Sequence, residues 1–168
     1  VNGELELLTV ASDGRQAALT YNAEGASHLY LVDLQQNTQT PITTVPEGVM
    51  SGLQFSVDGT ALVFALQSAT RPQDIWLLTL TDHQCRQLTY SSHAGIDKHT
   101  FIAPTLIHYP TFDGRHIPAF YFQPQEPAPS TGYPCLLYVH GGPASQLRPE
   151  FDVRFQYFVA QGYAILAT

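Results

Sequence analysis

The sequence has little positive charge, few cysteines and no long apolar run, and each shortage excludes a class of protein. Its 168 residues include only 7 Lys and Arg against 14 Asp and Glu, without a basic cluster. A nucleic acid or an anionic membrane surface is therefore not expected as a partner. No stretch approaches the ~18–20 apolar residues of a membrane-spanning helix, and Val1–Val10 lacks the basic start of a signal peptide. We therefore expect a cytoplasmic, globular protein.

Metal sites, disulfides and common cofactor motifs are also missing from the sequence. Cys85 and Cys135 lie far apart, which excludes a disulfide framework and makes a single bond unexpected. No phosphate-binding loop or dinucleotide fingerprint occurs, so no cofactor is expected. The histidines lack the short pair spacing of a zinc site. Six of them are interpreted as surface or loop residues: His28, His83, His93, His99, His108 and His116.

What the first half does contain is an internal repeat. Ser12-Asp13-Gly14 recurs as Val57-Asp58-Gly59 at an offset of 45, and Leu29-Tyr30-Leu31 recurs as Ile75-Trp76-Leu77 at an offset of 46. The change of one residue falls in a loop, where an insertion costs least. The match continues with Leu34 and Leu80, then with Ile42-Thr43 and Leu88-Thr89.

Each copy of the repeat predicts four strands, with an Asp-Gly turn that supplies the positive φ of a tight hairpin. Four strands in about 45 residues match the size of a propeller blade, whereas a small sandwich of unrelated hairpins is the alternative. Trp76 and Tyr30 are interpreted as blade core rather than as a platform for stacking bases. The predicted strands are Leu7–Val10, Ala17–Tyr21, His28–Leu34, Gln39–Thr43, Leu53–Phe55, Ala61–Leu66, Asp74–Leu80 and Arg86–Thr89.

The repeat stops after about Pro104, and a different pattern begins. Thr105–Pro110 and Ile117–Phe122 predict one more hairpin around Asp113-Gly114. Because proline has no N–H for a strand partner, Pro118 suggests that the second strand is an edge strand.

The last third of the sequence has the pattern of a strand, a helix and a second strand. Cys135–Val139 is a continuous apolar run of the kind that is buried on both faces of a parallel sheet. Tyr163–Ala167 is the second such run. This order predicts a βαβ unit with parallel strands. The helix between them has one apolar face, formed by Phe151, Phe155, Phe158 and Val159.

One segment, His140-Gly141-Gly142-Pro143, has a strong chemical interpretation. Glycines at the carboxyl end of a parallel strand let backbone N–H groups face a ligand, and two such groups stabilise the oxyanion of acyl transfer. In α/β-hydrolases one donor comes from a loop of this type. The alternative is a structural Gly-Gly turn that His140 anchors. No G-x-S-x-G nucleophile motif accompanies the loop, and Ser145 follows it too loosely to be the nucleophile.

Three segments, taken in order, are similar to parts of one enzyme family. The sequence resembles the prolyl oligopeptidase family of serine peptidases, specifically its acylaminoacyl-peptidase or dipeptidyl-peptidase-like members. The first segment is Phe55-Ser56-Val57-Asp58-Gly59 with Ile75-Trp76-Leu77 and Arg86-Gln87-Leu88-Thr89. The second is Asp113-Gly114 with Ile117-Pro118-Ala119 and Pro124. The third is Tyr138-Val139-His140-Gly141-Gly142-Pro143 with Gln161-Gly162-Tyr163.

The resemblance implies a mixed fold: the last blades of a β-propeller over residues 1–104, followed by the N-terminal part of an α/β-hydrolase domain over residues 105–168. Within that fold the backbone N–H of Gly142 would be an oxyanion donor, while His140, Gly141 and Pro143 would shape the loop. The catalytic Ser, Asp and His would lie elsewhere in the parent chain, so we expect an internal piece that is inactive alone.

The implied function is a serine peptidase that hydrolyses short peptides or blocked or free N-terminal residues. Its partners would be a peptide substrate and the rest of the parent chain. The resemblance is also compatible with a homo-oligomer. Two alternatives stay open at this point. One is a carboxylesterase of the same fold, and the other is a non-catalytic binding module built on the blade repeat.

Overall fold

The computed structural model describes residues 3–168, in which twelve β-strands, one α-helix and one short 3-10 helix at Lys98–Thr100 occur. The chain separates into two compact units. The first contains the residues up to Ser68 together with Pro72–Ser92, and the second contains Ala69–Arg71 and His93–Thr168. The sequence-based boundary after residue 104 stays a prediction.

The first unit consists of two four-stranded antiparallel sheets, one for each copy of the repeat. In both sheets the strands follow one another in chain order, as the repeat predicts. Sheet 1 contains β1 (Glu4–Val10), β2 (Gln16–Ala23), β3 (Ala26–Asp33) and β4 (Thr38–Pro41). Sheet 2 contains β5 (Val49–Phe55), β6 (Ala61–Ser68), β7 (Arg71–Thr79) and β8 (Cys85–Gln87). The last strand of each sheet ends two residues earlier than predicted.

The Asp-Gly turns close their hairpins as the sequence predicts. Gly14 and Gly59 have φ values of 68° and 69°, the left-handed conformation that glycine adopts without a steric penalty. Each turn is closed by a backbone hydrogen bond of 2.8 Å, from Ala11 N–H to the Gln16 carbonyl in sheet 1 and from Ser56 N–H to the Ala61 carbonyl in sheet 2. The two hairpins therefore share one geometry.

The core of the first unit lies between the two sheets. Sheet 1 contributes three buried side chains to it, and sheet 2 contributes the larger ones. The cluster consists of Ala18, Leu29 and Ile42 from sheet 1 and its following loop, and Met50, Leu53, Leu62, Phe64, Leu66, Trp76 and Leu78 from sheet 2. Trp76 is therefore part of the blade core, as predicted.

The second unit contains a four-stranded sheet in the order β11-β12-β10-β9. Strand β11 runs parallel to β12, whereas β10 runs antiparallel to both β12 and β9. The predicted strand–helix–strand order with parallel strands is therefore confirmed. Its elements are β9 (Thr105–Pro110), β10 (His116–Phe122), β11 (Cys135–Tyr138), α1 (Val153–Ala160) and β12 (Ala164–Ala167). No helix in residues 3–168 is long and apolar enough to cross a membrane.

The expectation that β10 is an edge strand is wrong, because β10 lies between β9 and β12. Its pairing with β12 covers only the three residues from Phe120 to Phe122, whereas β9 pairs with it from His116 onwards. Pro118 is outside these three residues, so its missing N–H costs no bond in the described pairing with β12.

The expectation that Cys135–Val139 is buried on both faces is also wrong for the described residues. Leu136 and Tyr138 pack against the core of the second unit, but Leu137 and Val139 are 65 % and 62 % exposed. Strand β11 is the first in the sheet order and α1 packs on the face that carries Leu136, so the opposite face has no cover here.

Helix α1 begins later than predicted, and only part of the predicted face is buried. Phe151 precedes the helix, and Phe158 is exposed rather than buried. Phe155, Gln156 and Val159 form the buried face. Apolar spacing correctly predicts the burial of Phe155 and Val159, but it could not show that a glutamine is buried beside them.

Candidate functional site

The segment with the strongest chemical interpretation begins where the two parallel strands end. His140 N–H donates to the Thr168 carbonyl at 3.0 Å, and Thr168 N–H donates to the Tyr138 carbonyl at 2.9 Å. These bonds continue the β11–β12 pairing past the ends of both strands. They fix His140 at the carboxyl edge of the parallel pair, which is where ligands bind in open α/β sheets.

The imidazole of His140 holds the next peptide unit in one orientation. Its Nδ1 lies 2.8 Å from the carbonyl oxygen of Gly141. A carbonyl only accepts hydrogen bonds, so this contact assigns the proton to Nδ1. Since the peptide unit is planar and trans, the N–H of Gly142 points away from the Gly141 carbonyl. The His140 ring therefore sets the direction in which the Gly142 N–H points.

The backbone of Gly142 is exposed and tightly folded. Within the described residues 3–168, no group of the protein accepts a hydrogen bond from its N–H. A Cβ at this position would lie 3.0 Å from the backbone nitrogen of Ala144, closer than such contacts normally come. A glycine here thus permits the tight bend and leaves the N–H open to solvent. Gly141 and Pro143 are exposed on either side of it.

Residues 3–168 bring no complete catalytic machinery to this loop. Ser145 is exposed in irregular chain before α1 rather than at a strand-to-helix turn. All six histidines assigned to surface or loop positions are exposed or half-buried. Across residues 3–168 no group of three or more His, Cys, Asp and Glu side chains could hold a metal ion, and Cys85 and Cys135 are both thiols.

Sequence reasoning missed a charged cavity that is formed mainly by the residues following Pro143. It has a volume of about 270 Å³ and lies between Tyr138, the loop that leads to α1 and the first turn of that helix. Four charged residues line it at alternate positions: Arg148, Glu150, Asp152 and Arg154. This alternation is visible in the sequence and could have signalled a charged site.

Asp152 caps α1 and fixes the charge at one wall of the cavity. Its Oδ1 accepts from the backbone N–H of Arg154 at 2.8 Å, the usual capping bond at a helix start. The guanidinium of Arg154 binds both carboxylate oxygens, at 3.0 and 2.5 Å. This fork holds the pKa of Asp152 below its usual range, so the carboxylate stays ionised at neutral pH. Arg154 also lies 5.8 Å from the centre of the Tyr138 ring.

Comparison with curated proteins finds peptidases, although no protein-family profile matches the chain. An uncharacterized peptidase, YuxL, of Bacillus subtilis is 26 % identical over 85 % of this chain and 21 % of its own length. A dipeptidyl-peptidase 5 of Porphyromonas endodontalis is 26 % identical over 85 % of this chain and 20 % of its own length. The chain is thus similar to peptidases of the prolyl oligopeptidase family.

Solved structures of peptidases show the same fold over almost the whole chain. A puromycin-hydrolyzing peptidase of Mycobacterium tuberculosis matches 95 % of this chain with a TM-score of 0.81 at 21 % identity, over 24 % of its own length. An acylaminoacyl peptidase of Pyrococcus horikoshii matches 99 % of it with a TM-score of 0.75 at 22 % identity, over 25 % of its own length. The chain thus spans about a quarter or less of the relatives it matches.

Proposed function

We propose that this chain is part of a serine peptidase that hydrolyses short peptides, or blocked or free N-terminal residues, through an acyl-enzyme. The observation that carries the proposal is the N–H of Gly142. It is exposed at the end of a parallel strand, lacks an acceptor within residues 3–168, and has its direction set by His140. This is the arrangement that an oxyanion donor requires.

The chemistry assigned to the described residues is electrostatic. When a serine oxygen attacks the scissile carbonyl, negative charge develops on the carbonyl oxygen, and the Gly142 N–H would donate a hydrogen bond to it. A donor held in place before the reaction costs no reorganisation at the transition state. The His140 contact with Gly141 would provide that fixed orientation, and Pro143 would stiffen the exit of the loop.

The serine, its general base and the acid that orients the base would come from other parts of the parent protein. They would form the acyl-enzyme and pass the proton to the leaving amine. The 168 residues by themselves would then show no peptidase activity. Residues 105–168 would form the start of the hydrolase domain, and residues 1–104 would form propeller blades that restrict access to it.

Two further observations support this assignment. The two sheets of the repeat pack opposite faces against each other, as stacked blades do, rather than the same face, as a two-fold sandwich of the repeat would. An acylaminoacyl peptidase with the same fold has been solved in complex with Z-Gly-Gly-Phe-chloromethyl ketone, so a peptide-based ligand fits that relative. We extend peptide binding, and a cytoplasmic location, to the parent of this chain.

Replacing Gly142 by proline in the full-length parent tests the proposal. The change deletes the N–H, and we expect kcat to fall by about 10²–10³ with a chromogenic aminoacyl or peptidyl substrate. Gly142→Ala is the matched control, because it adds the same Cβ beside the Ala144 nitrogen but keeps the N–H, so the difference in kcat between the two variants isolates the hydrogen bond. An unchanged kcat in folded Gly142→Pro protein would leave the loop with a structural role only.

A panel of ester and amide substrates separates a peptidase from a carboxylesterase, because an oxyanion donor serves both reactions. Hydrolysis of esters without any hydrolysis of peptide amides would assign the esterase function.

A further inference from the structure

Gln156 is the polar side chain that the proposed function does not yet use. It is only 7 % exposed and lies in α1 between Phe155 and Tyr157. The residues around it belong to the apolar core of the second unit, which includes Phe155, Val159 and Ala69. A buried amide in such surroundings is costly unless all its hydrogen bonds are made.

The amide of Gln156 is fully hydrogen-bonded to two distant segments of the second unit. Its Oε1 accepts from the N–H of Ile102 at 2.8 Å, and its Nε2 donates to the Ile102 carbonyl at 2.9 Å. The same Nε2 donates to the Ala69 carbonyl at 2.8 Å. Towards Ile102 the side chain thus makes the pair of bonds that a neighbouring strand would make. Ile102 and Ala69 are 54 and 87 residues away in sequence.

An apolar side chain would fill this position without any need for partners. The hydrogen bonds add something that apolar packing does not, because they specify which backbone lies against the helix and in which register. Gln156 therefore attaches the Ala69–Arg71 turn and the chain at Ile102 to one point on α1.

The part of α1 around Gln156 lies beside both ends of the Gly142 loop, which is the segment 139–151 between β11 and the cap of α1. Phe155, next to Gln156, packs edge-on against Tyr138 with ring centres 5.0 Å apart, and Tyr138 is two residues before His140. At the other end of the loop, Asp152 caps the first turn of the same helix. The start and the end of the loop are thus both attached to the helical turn that contains Gln156.

We propose that Gln156 is a positioning residue for the oxyanion loop. It holds the first turn of α1 against Ala69 and Ile102, and this turn holds the two ends of the segment that carries the Gly142 N–H. The inference rests on the proposed function, and it assigns to Gln156 an effect on the transition state rather than on substrate binding.

The test compares Gln156→Met with the parent enzyme. Methionine has about the same length and no amide, so it keeps the packing and removes all three hydrogen bonds. We expect kcat to fall about 10- to 100-fold, as for a misplacement of about 1 Å, with KM changed by less than about threefold. Gln161→Met is the matched control, since Gln161 is exposed at the end of the same helix and is expected to leave both constants unchanged.

A second variant and a second readout separate positioning from stability. Gln156→Glu keeps the acceptor for Ile102 N–H and loses the two donated bonds, so kcat is expected to fall while Ile102 stays partly protected. Hydrogen exchange at the Ile102 amide is expected to accelerate in Gln156→Met at temperatures well below the unfolding midpoint.

The outcomes separate a positioning role of Gln156 from an effect on stability alone and from failure of the proposed function. Folded Gln156→Met with a parental kcat overturns the positioning role while leaving the proposed function intact. A parent that hydrolyses no ester or amide, or a Gly142→Pro variant with full kcat, overturns the proposed function and this role together. A lowered unfolding midpoint with unchanged kcat shows that Gln156 acts on stability alone.

Discussion

The two copies of the repeat have the same strands and turns but bury opposite faces. Leu29 in sheet 1 is 2 % exposed, whereas its equivalent in sheet 2, Ile75, is 37 % exposed. The reverse holds on the other face, where Phe64 in sheet 2 is buried and its equivalent Leu19 in sheet 1 is half-buried. The same position in the repeat therefore has a different role in each copy.

The difference follows from packing the sheets head to tail. A heterologous contact joins two unlike surfaces and leaves one of each kind free at the ends, whereas a two-fold contact would bury the same surface twice. The free face of sheet 1 includes Leu8 and Val10, both more than half exposed, and that of sheet 2 includes Ile75 and Leu88. Stability in such a stack depends on each interface between neighbours.

The largest difference between the copies in the free energy of unfolding is expected when Phe64 or its equivalent Leu19 is replaced. Phe64→Ala removes a nearly fully buried ring from the shared core and is expected to lower the free energy of unfolding by about 3–5 kcal/mol. Leu19→Ala, at the equivalent position, is expected to cost only about 1 kcal/mol because part of the side chain is already in water. Urea unfolding of the 168-residue chain measures both, and equal losses would contradict head-to-tail packing.

The next largest difference in stability concerns Asp74, a carboxylate that is buried in the second copy and has no buried counterpart among the described residues of the first. Asp74 accepts hydrogen bonds from Gln87 Nε2 at 3.0 Å, Thr89 Oγ1 at 2.8 Å and the backbone N–H of Ser91 at 2.9 Å. Asp74→Ala is expected to cost about 2–3 kcal/mol, since bonds to a charged acceptor are lost. His28, its exposed equivalent in sheet 1, is the control, and His28→Ala is expected to stay within about 0.5 kcal/mol of the parent.

Proteolysis offers an independent check of the same pair. Asp74 attaches the chain that leaves β8 to β7, so cleavage near Thr89–Ser91 is expected to become faster in Asp74→Ala and to stay unchanged in His28→Ala. Resistance of both variants would show that these bonds do not hold the exit of sheet 2.

The smallest difference in stability between the copies is expected at the Asp-Gly turns of the repeat. In sheet 2 the Ser56 hydroxyl donates to Asp58 at 2.6 Å, with further donation from Thr60, and this holds the pKa of Asp58 below its ordinary value of 3.8. The equivalent of Ser56 in sheet 1 is Ala11, which has no hydroxyl. Asp58 therefore contributes stability above pH 3.8 that is lost as the pH falls through its lowered pKa.

Ser56→Ala tests this pH dependence. Because Ser56 is the largest cause of the shift, the pKa of Asp58 is expected to rise towards 3.8, as followed by NMR titration of the carboxyl carbon. Asp113, whose pKa is lowered mainly by the Thr111 hydroxyl in another turn, is the internal reference and should not move. A titration curve of Asp58 identical to that of the parent would contradict the assigned cause.

The local parts of the fold were accessible to sequence reasoning, and the long-range parts were not. Strand β9 has the predicted bounds of Thr105–Pro110, because alternating side chains and an Asp-Gly turn are local signals. The burial of Gln156 depends on Ile102 and Ala69, which no periodicity connects to α1. The same holds for the interior position of β10, since its pairing with β12 is set by chain that comes more than 40 residues later.

For the candidate site, sequence reasoning identified the loop from His140 to Pro143 as the segment suited to a catalytic role. It did not identify the contact between His140 Nδ1 and the Gly141 carbonyl, because the direction of a side chain is fixed by the folded backbone. Nor did it identify the charged cavity, because its enclosure by Tyr138, the loop before α1 and the first turn of that helix depends on the folded chain.

The unequal shares of the shared core have a consequence during synthesis of the chain. Seven of its ten buried side chains come from sheet 2 and only three from sheet 1 with its following loop. Sheet 1 leaves the ribosome first, and its partner surface follows about 45 residues later, which takes roughly 2–9 s at ~5–20 residues per second. In that interval the face with Leu29 and Ile42 lacks the larger side chains of sheet 2, so this face stays exposed to water until the second copy has been synthesised.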